Sequence, residues 1–198
     1  MSLGGRKAIA HLRRDPAMAR VIAKVGPFAG KLRVDGTHFH SILRAIVYQQ
    51  LSGKAAATIH GRVHAIYGGR GPEPHELLAT DDATLRAAGL SRQKLAYLRD
   101  LAAKAHLLDD VDALSDDEII ARLTQVKGVG VWSAQMFLMF RLGRPDVIPA
   151  GDLGIRKAVQ KAYRLRSRPT PTRVLEIGAR WRPYATTASW YLWRSLDP

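Results

Sequence analysis

The residues best suited to chemistry in this chain are one isolated acid, a closely spaced pair of glycines and a few tryptophans. Asp152 follows the apolar run Val147-Ile148-Pro149-Ala150-Gly151 and opens a segment carrying Arg156, Lys157 and Lys161. Asp is a favoured helix N-cap, and that role alone accounts for its position. The same position also suits a working carboxylate, because a helix N-terminus and nearby cations favour an anion. Near a polyanionic partner, a fixed anion is electrostatically adverse unless it meets a positive charge that forms during a reaction. Breaking a glycosidic bond creates such a charge through an oxocarbenium-like transition state. Spacing alone leaves both readings of Asp152 open.

Upstream, Val126-Lys127-Gly128-Val129-Gly130 lies between two strong helical patterns and has room only for a tight turn. Glycines at 128 and 130 let the backbone take positive φ and place no Cβ in the way of an approaching group. The turn feeds a helix starting at Val131, whose N-terminal N–H groups favour an anion. Lys127 adds a mobile charge at the same spot. A helix, a Gly-x-Gly turn and a second helix therefore grip a phosphate without reading a base. A plain αα-hairpin with glycine C-caps is the alternative.

The elements that must position these residues are helical almost throughout. Asp15-Pro16 is an N-cap with proline in the first turn, and Gly26-Pro27 ends that segment. Thr37 caps a helix over 39–50 with Phe39, Ile42, Leu43, Ile46 and Val47 on one face. Ser52 opens the next, followed by a Gly/Pro-rich connector over 68–74. Further starts are read at Thr80, Ser91 and Ser115, the last a capping box with Glu118. An apolar helix runs over 132–142, and Asp152, Thr170-Pro171 and Pro183 open the rest. No strand-period alternation competes, so the fold class is all-α with about ten helices.

Composition narrows the class of activity. The 198 residues contain no cysteine, which excludes disulfides, thiolate zinc sites, cysteine nucleophiles and cysteine-ligated clusters. No apolar run is long enough to span a membrane, and the start lacks the pattern of a signal peptide, so an intracellular protein without a membrane partner is expected. The histidines are scattered, so no metal site is expected; Asp109, Asp110, Asp112, Asp116, Asp117 and Glu118 read as a solvated loop and helix start. Thirty-one Lys and Arg against 17 Asp and Glu give a net charge of +14, which points to a polyanionic partner. Residues 41–140 hold eleven charges of each sign, so the whole excess lies in the two ends.

The hairpin Val126–Gly130, the helix after it and Asp152 together resemble the helix-hairpin-helix–Gly/Pro–Asp superfamily of base-excision DNA glycosylases, in its 3-methyladenine branch. The likeness covers roughly 10–198 and is most specific over 123–157. It implies two helical lobes with a cleft for DNA and a flipped base between them, one lobe over 38–142 and a basic one built from 1–37 plus 143–198. It also implies that Asp152 is the catalytic aspartate and that Lys127, Gly128, Gly130 and Val131 bind a DNA phosphate. Trp132, Met136, Trp190 and Phe39 would line the base pocket, where aromatic walls favour an electron-poor alkylated purine. Leu51 would be the wedge that fills the gap in the duplex, with Gln50 on the opposite base. Trp132 stands where bifunctional members carry a Schiff-base lysine, so a glycosylase without lyase activity is implied. No cofactor is implied, beyond hairpin carbonyls as a place for a monovalent cation. With so little sequence before Asp15, the β-rich N-terminal domain of some relatives is expected to be absent or its contribution supplied otherwise.

The resulting expectation is a monomeric, monofunctional glycosylase acting on double-stranded DNA with damaged bases, chiefly 3-methyladenine and also 7-methylguanine. Two other readings stay open: a non-catalytic helix-hairpin-helix module, and a glycosylase for an oxidised or deaminated base. In a bacterium the protein would sit with the nucleoid.

Overall fold

Helix caps are the strongest local signals in the sequence, and most of them cap helices in the computed structural model, which describes residues 3–32 and 35–197. Helix α1 (Arg6–Leu12) has no side-chain cap, which is why no start signal marks it in the sequence. Asp15 caps α2 (Pro16–Val25), its carboxylate accepting the Ala17 N–H at 2.8 Å. Thr37 and His40 form a reciprocal cap on α3 (His38–Tyr48), and Ser52 caps α4 (Gly53–Ile66). Helix α5 (Pro74–Ala79) starts at the end of the connector read as a loop; Pro74 takes its first turn, and Glu76 turns back onto the Glu73 N–H. Asp81, rather than Thr80, caps α6 (Asp82–Ala87), and Thr80 instead ends α5.

Ser91 caps α7 (Arg92–Ala103), which stops short of His106; a 3-10 turn over Ala105–Leu108 follows. The Ser115–Glu118 box closes on α8 (Asp116–Leu123). Helix α9 (Val131–Phe140) leaves the hairpin, Asp152 caps α10 (Leu153–Ala162) and Thr170 caps α11 (Pro171–Gly178). The last helix, α12 (Ala185–Arg194), begins two residues after Pro183. Among the described residues there are twelve α-helices and no strand, so the all-α class holds.

The chain divides into two compact units: Met1–Leu32 with Leu138–Pro198, and Arg33–Phe137. In the first unit, α12 lies at the centre, with Ala185, Thr186, Thr187, Ala188, Ser189, Tyr191 and Leu192 all buried. Leu12, Met18, Ile22, Ile155, Val159, Val174 and Trp181 close around it. Fully burying each such side chain stabilises the unit by roughly 1.5–3 kcal/mol. A polar seam crosses this core: Tyr163 Oη donates to Asp15, and Trp181 Nε1 donates to Tyr163 Oη at 3.0 Å. Burial and then the Asp15 carboxylate push the Tyr163 pKa up, which keeps that hydroxyl a donor.

In the second unit, α3 buries the apolar face read from its sequence (Phe39, Ile42, Leu43, Ile46 and Val47) and packs on α4 and α7. Helices α5 and α6 also pack on α7. Arg99 of α7 fastens them by donating to the carbonyls of Leu77, Leu78 and Thr80 and to Asp82.

Candidate functional site

Asp152 is positioned by the segment before it and by two donors. Val147, Ile148 and Ala150 are buried, so this stretch is anchored by its own side chains. The Val147 N–H donates to Thr186 Oγ1 at 3.1 Å, and the Thr186 N–H to the Pro145 carbonyl at 2.9 Å, which ties the stretch to α12. At the start of α10, Asp152 Oδ1 accepts the Ile155 N–H at 2.8 Å, as an N-cap does. The same oxygen accepts Trp193 Nε1, also at 2.8 Å. Gly154 makes that approach possible: a Cβ there would lie 3.0 Å from Asp152 Oδ1 and 3.0 Å from Trp193 Cδ1. On the other side, the Trp193 ring faces Phe140, with centroids 6.1 Å apart.

Trp190, the aromatic singled out in the sequence, lies one turn earlier on α12. Its ring is tilted onto Phe28 at 4.5 Å and meets Tyr191 edge-on at 5.0 Å. It borders a cavity of about 430 Å³ in the first unit together with Lys24, Pro27, Arg194 and Asp197. The indole in hydrogen-bond contact with the aspartate is therefore Trp193, which the sequence reading did not single out. A buried or half-buried indole N–H seeks an acceptor, and the i, i+3 pair of tryptophans was the signal for a second candidate.

In the second unit, the hairpin has the geometry of a tight turn. The Val129 N–H donates to the Val126 carbonyl at 3.0 Å, and α9 opens with the Ala134 N–H on the Gly130 carbonyl. Only one of the two glycines takes a left-handed conformation: Gly128, at φ 79°. The Tyr97 ring packs against it, since a Cβ on Gly128 would sit 2.2 Å from Tyr97 Cδ2. At Gly130 a Cβ would meet nothing within 4 Å, so that glycine keeps space clear in front of the helix. The N–H groups of Gly128, Gly130 and Val131 have no protein acceptor among the described residues. That is the donor set an incoming anion needs.

Lys127 differs from its neighbours. Its N–H donates to Asp100 Oδ2 at 2.8 Å, and its Nζ lies 4.0 Å from Asp100 Oδ1, so its backbone donor is already used. Burial works to raise the Asp100 pKa, but the Lys104 ammonium and the Lys127 N–H and charge outweigh it and hold the carboxyl below its usual range. The carbonyls of Gln125, Val126 and Gly128 accept Lys104 Nζ at 2.7 Å, the Val129 N–H at 3.0 Å and Gln49 Nε2 at 2.8 Å. One of those donors, Lys104, is itself a cation.

At the first turn of α9, Val131 and Trp132 are 53% and 50% exposed, so an apolar pair is presented beside the hairpin. Met136, half-buried, lies one turn on and shares the Trp132 face. Phe39 is buried in α3, its ring edge-on to His40 at 5.9 Å. Between α3 and α4, Gln50 is held at φ 57° and Leu51 is 39% exposed, so the loop presents an apolar side chain to solvent. Among the described residues no group of three or more His, Asp or Glu could hold a metal ion.

A family described as the HhH-GPD superfamily base excision DNA repair protein matches residues 43–183. That span contains Leu51, the hairpin, Trp132 and Asp152, and ends before Trp190 and Trp193. DNA-3-methyladenine glycosylase 1 of Schizosaccharomyces pombe is 35% identical over 188 residues, which cover 91% of this chain and 82% of that protein. Among solved structures, the 3-methyladenine DNA glycosylase Mag1 of S. pombe in complex with abasic DNA is similar at TM-score 0.83 and 36% identity, over 94% of this chain and 95% of that one. A DNA-3-methyladenine glycosidase of Bacillus halodurans is similar at TM-score 0.84 and 33% identity, over 98% and 90%.

Proposed function

The chain belongs to the HhH-GPD superfamily of base excision DNA repair proteins, and from that premise we propose that it is a monofunctional DNA glycosylase releasing alkylated bases, 3-methyladenine first among them, from duplex DNA. The observation that carries the reading is Asp152. Its carboxylate caps a ten-residue helix while an indole N–H on the same oxygen fixes its direction. A helix N-terminus and two short hydrogen bonds place a preorganised negative charge where a cation can form.

The chemistry follows from the charge on the lesion. A base alkylated at a ring nitrogen is formally cationic, so it leaves as a neutral molecule when the bond from C1′ to its nitrogen breaks. The bonding electrons go with the base, and the sugar becomes oxocarbenium-like, the charge that Asp152 stabilises. Water then attacks C1′ and gives up a proton, leaving a free base and an abasic site. Because the leaving group needs no proton, one carboxylate suffices. Trp132 supplies the exposed aromatic face for a flipped, electron-poor base. Being a tryptophan, it also offers no amine for Schiff-base chemistry, so strand cleavage by that route is absent.

The remaining roles are assigned by fit. Gly128, Gly130 and Val131 hold a phosphate through their N–H groups, and Leu51 enters the gap left by the base. The partner is double-stranded DNA carrying the damaged base, engaged by a single protein molecule.

Incubation with methylated duplex DNA, with the released bases separated by chromatography, tests the reading. Free 3-methyladenine and 7-methylguanine with the strands intact until alkali is added is the expected result. Strand scission without alkali would overturn the monofunctional assignment, and no released base would overturn the glycosylase reading.

A further inference from the structure

Helix α7 reaches two separate pieces of the second unit that the glycosylase reading assigns to DNA. Lys94 Nζ donates to the carbonyls of Val47 at 2.6 Å and Gln49 at 2.8 Å, the end of α3 from which the Leu51 loop departs. Among the described residues this ammonium meets no carboxylate. A partly buried cation whose acceptors are carbonyls at a helix C-terminus fixes that end in place. One turn along α7, the Tyr97 ring lies against Gly128. After a further turn, Asp100 takes the Lys127 N–H, and Lys104 donates to both Asp100, at 2.9 Å, and the Gln125 carbonyl. Spacings of three residues bring Lys94, Tyr97 and Asp100 along one side of the helix, and Lys104 follows at its C-terminal cap. Gln49, whose carbonyl Lys94 holds, closes the circuit by donating from Nε2 to the Gly128 carbonyl at 2.8 Å.

We propose that Lys94 is a positioning residue for base extrusion: through Lys94 and Gln49, α7 locks the 49–52 loop to the 126–130 hairpin, so that a hairpin seated on a phosphate sets where Leu51 enters the duplex. The proposal rests on the glycosylase reading for the roles of the loop and the hairpin. The link itself is independent of that reading, since it consists of hydrogen bonds within one unit. An ordinary helix cap would stabilise α3 and nothing more; the circuit through Gln49 to the hairpin is what makes the two DNA-facing segments one body.

Lys94→Met keeps the apolar stem and removes the ammonium. Single-turnover release of 3-methyladenine is then compared on a fully paired duplex and on one with an abasic site opposite the lesion, where less pairing must be broken. The paired duplex is expected to lose about 10-fold or more in rate and the other to change by less than about 3-fold, because only the first needs a well-placed wedge. Adding Leu51→Ala to Lys94→Met is expected to cost less than Leu51→Ala alone. Equal losses on both duplexes, or fully additive ones, would overturn the proposal, since a merely structural defect lowers both alike. Gln49→Ala cuts the circuit without uncapping α3 and should give the same pattern; should Lys94→Met fail to fold, this variant decides.

Failure of the glycosylase reading would show differently, as wild-type protein that releases no alkylated base, and the assigned role of Lys94 would fall with it. The link is read without DNA by amide hydrogen exchange. Lys94→Met should speed exchange of 49–52 and of 126–130 together, and faster exchange of 49–52 alone would show the segments to be unlinked.

Discussion

At the scale of single residues, the account depends on how Asp152 is held. Two donors converge on one oxygen, at 2.8 Å each, and they differ in kind. The Ile155 N–H is a backbone donor of the helix, whereas the Trp193 N–H belongs to a side chain and can be removed without touching the backbone. Trp193→Phe keeps an aromatic ring beside Phe140 while removing that donor together with the pyrrole part of the indole. It is expected to slow base release about 10- to 100-fold, as a misaligned catalytic group does, while lowering stability by only about 1–2 kcal/mol. Single-turnover kinetics beside thermal melts check both; a variant with wild-type rate would show that the indole does not align the carboxylate. Asp152 was legible in the sequence because a lone acid before a basic helix is both a cap and a candidate for chemistry. Trp193 was not, because which of two tryptophans on one helix points at a given atom depends on the rotation of α12, and its start at Ala185 rather than Pro183 is set by packing.

At the scale of elements, caps made most of the helices readable. Asp15, Thr37, Ser52, Ser91, Ser115, Asp152 and Thr170 all accept an N–H from their own first turn. The elements that escaped, α1 and α5, lack a Ser, Thr, Asp or Asn at the start, and tertiary packing decides them instead. The hairpin was half legible. Its glycines were read alike, yet only Gly128 takes positive φ, and it alone lies under an aromatic ring. Gly128→Ala is therefore expected to cost at least about 2 kcal/mol in stability and to weaken DNA binding, whereas Gly130→Ala should fold normally. Equal melting temperatures for the two variants would contradict this.

Helix α4 carries a feature that no pattern announced. His60 and His64 stack with ring centroids 4.1 Å apart, and among the described residues the buried His64 Nε2 has no hydrogen-bond partner. Burial, followed by the charges of His64, Arg44 and His40, lowers the His60 pKa to about 4. In the unfolded chain this group takes up a proton near its ordinary pKa of about 6.5. Between those two values the unfolded state binds more protons, so stability rises with pH across that window and falls on acidification through it. His60→Gln should flatten the fall in melting temperature between pH 7 and pH 4.5, and an unchanged slope would show that His60 does not carry it.

At the scale of the whole molecule, charge and fold coincide. The unit formed by Met1–Leu32 and Leu138–Pro198 contains nineteen Lys and Arg against five Asp and Glu, a net of +14, while the other contains twelve of each. This asymmetry was visible in the sequence as basic ends around a neutral middle, because the chain leaves the first unit and returns to it. The neutral unit holds the hairpin, whose proposed phosphate donors are backbone N–H groups and need no net charge. Duplex affinity is expected to fall by on the order of 10³-fold between 50 and 200 mM salt, as for a protein neutralising about six phosphates. A weak salt dependence would mean that the basic unit does not engage the backbone.

The most direct test of the central claim is made on the intact protein with one atom changed in kind. Asp152→Asn preserves the N-cap, since Asn caps as well as Asp, and replaces the carboxylate by a neutral amide. Single-turnover release of 3-methyladenine should fall by at least about 10³-fold, while affinity for the same duplex is retained. Undiminished base release by this variant would contradict the account.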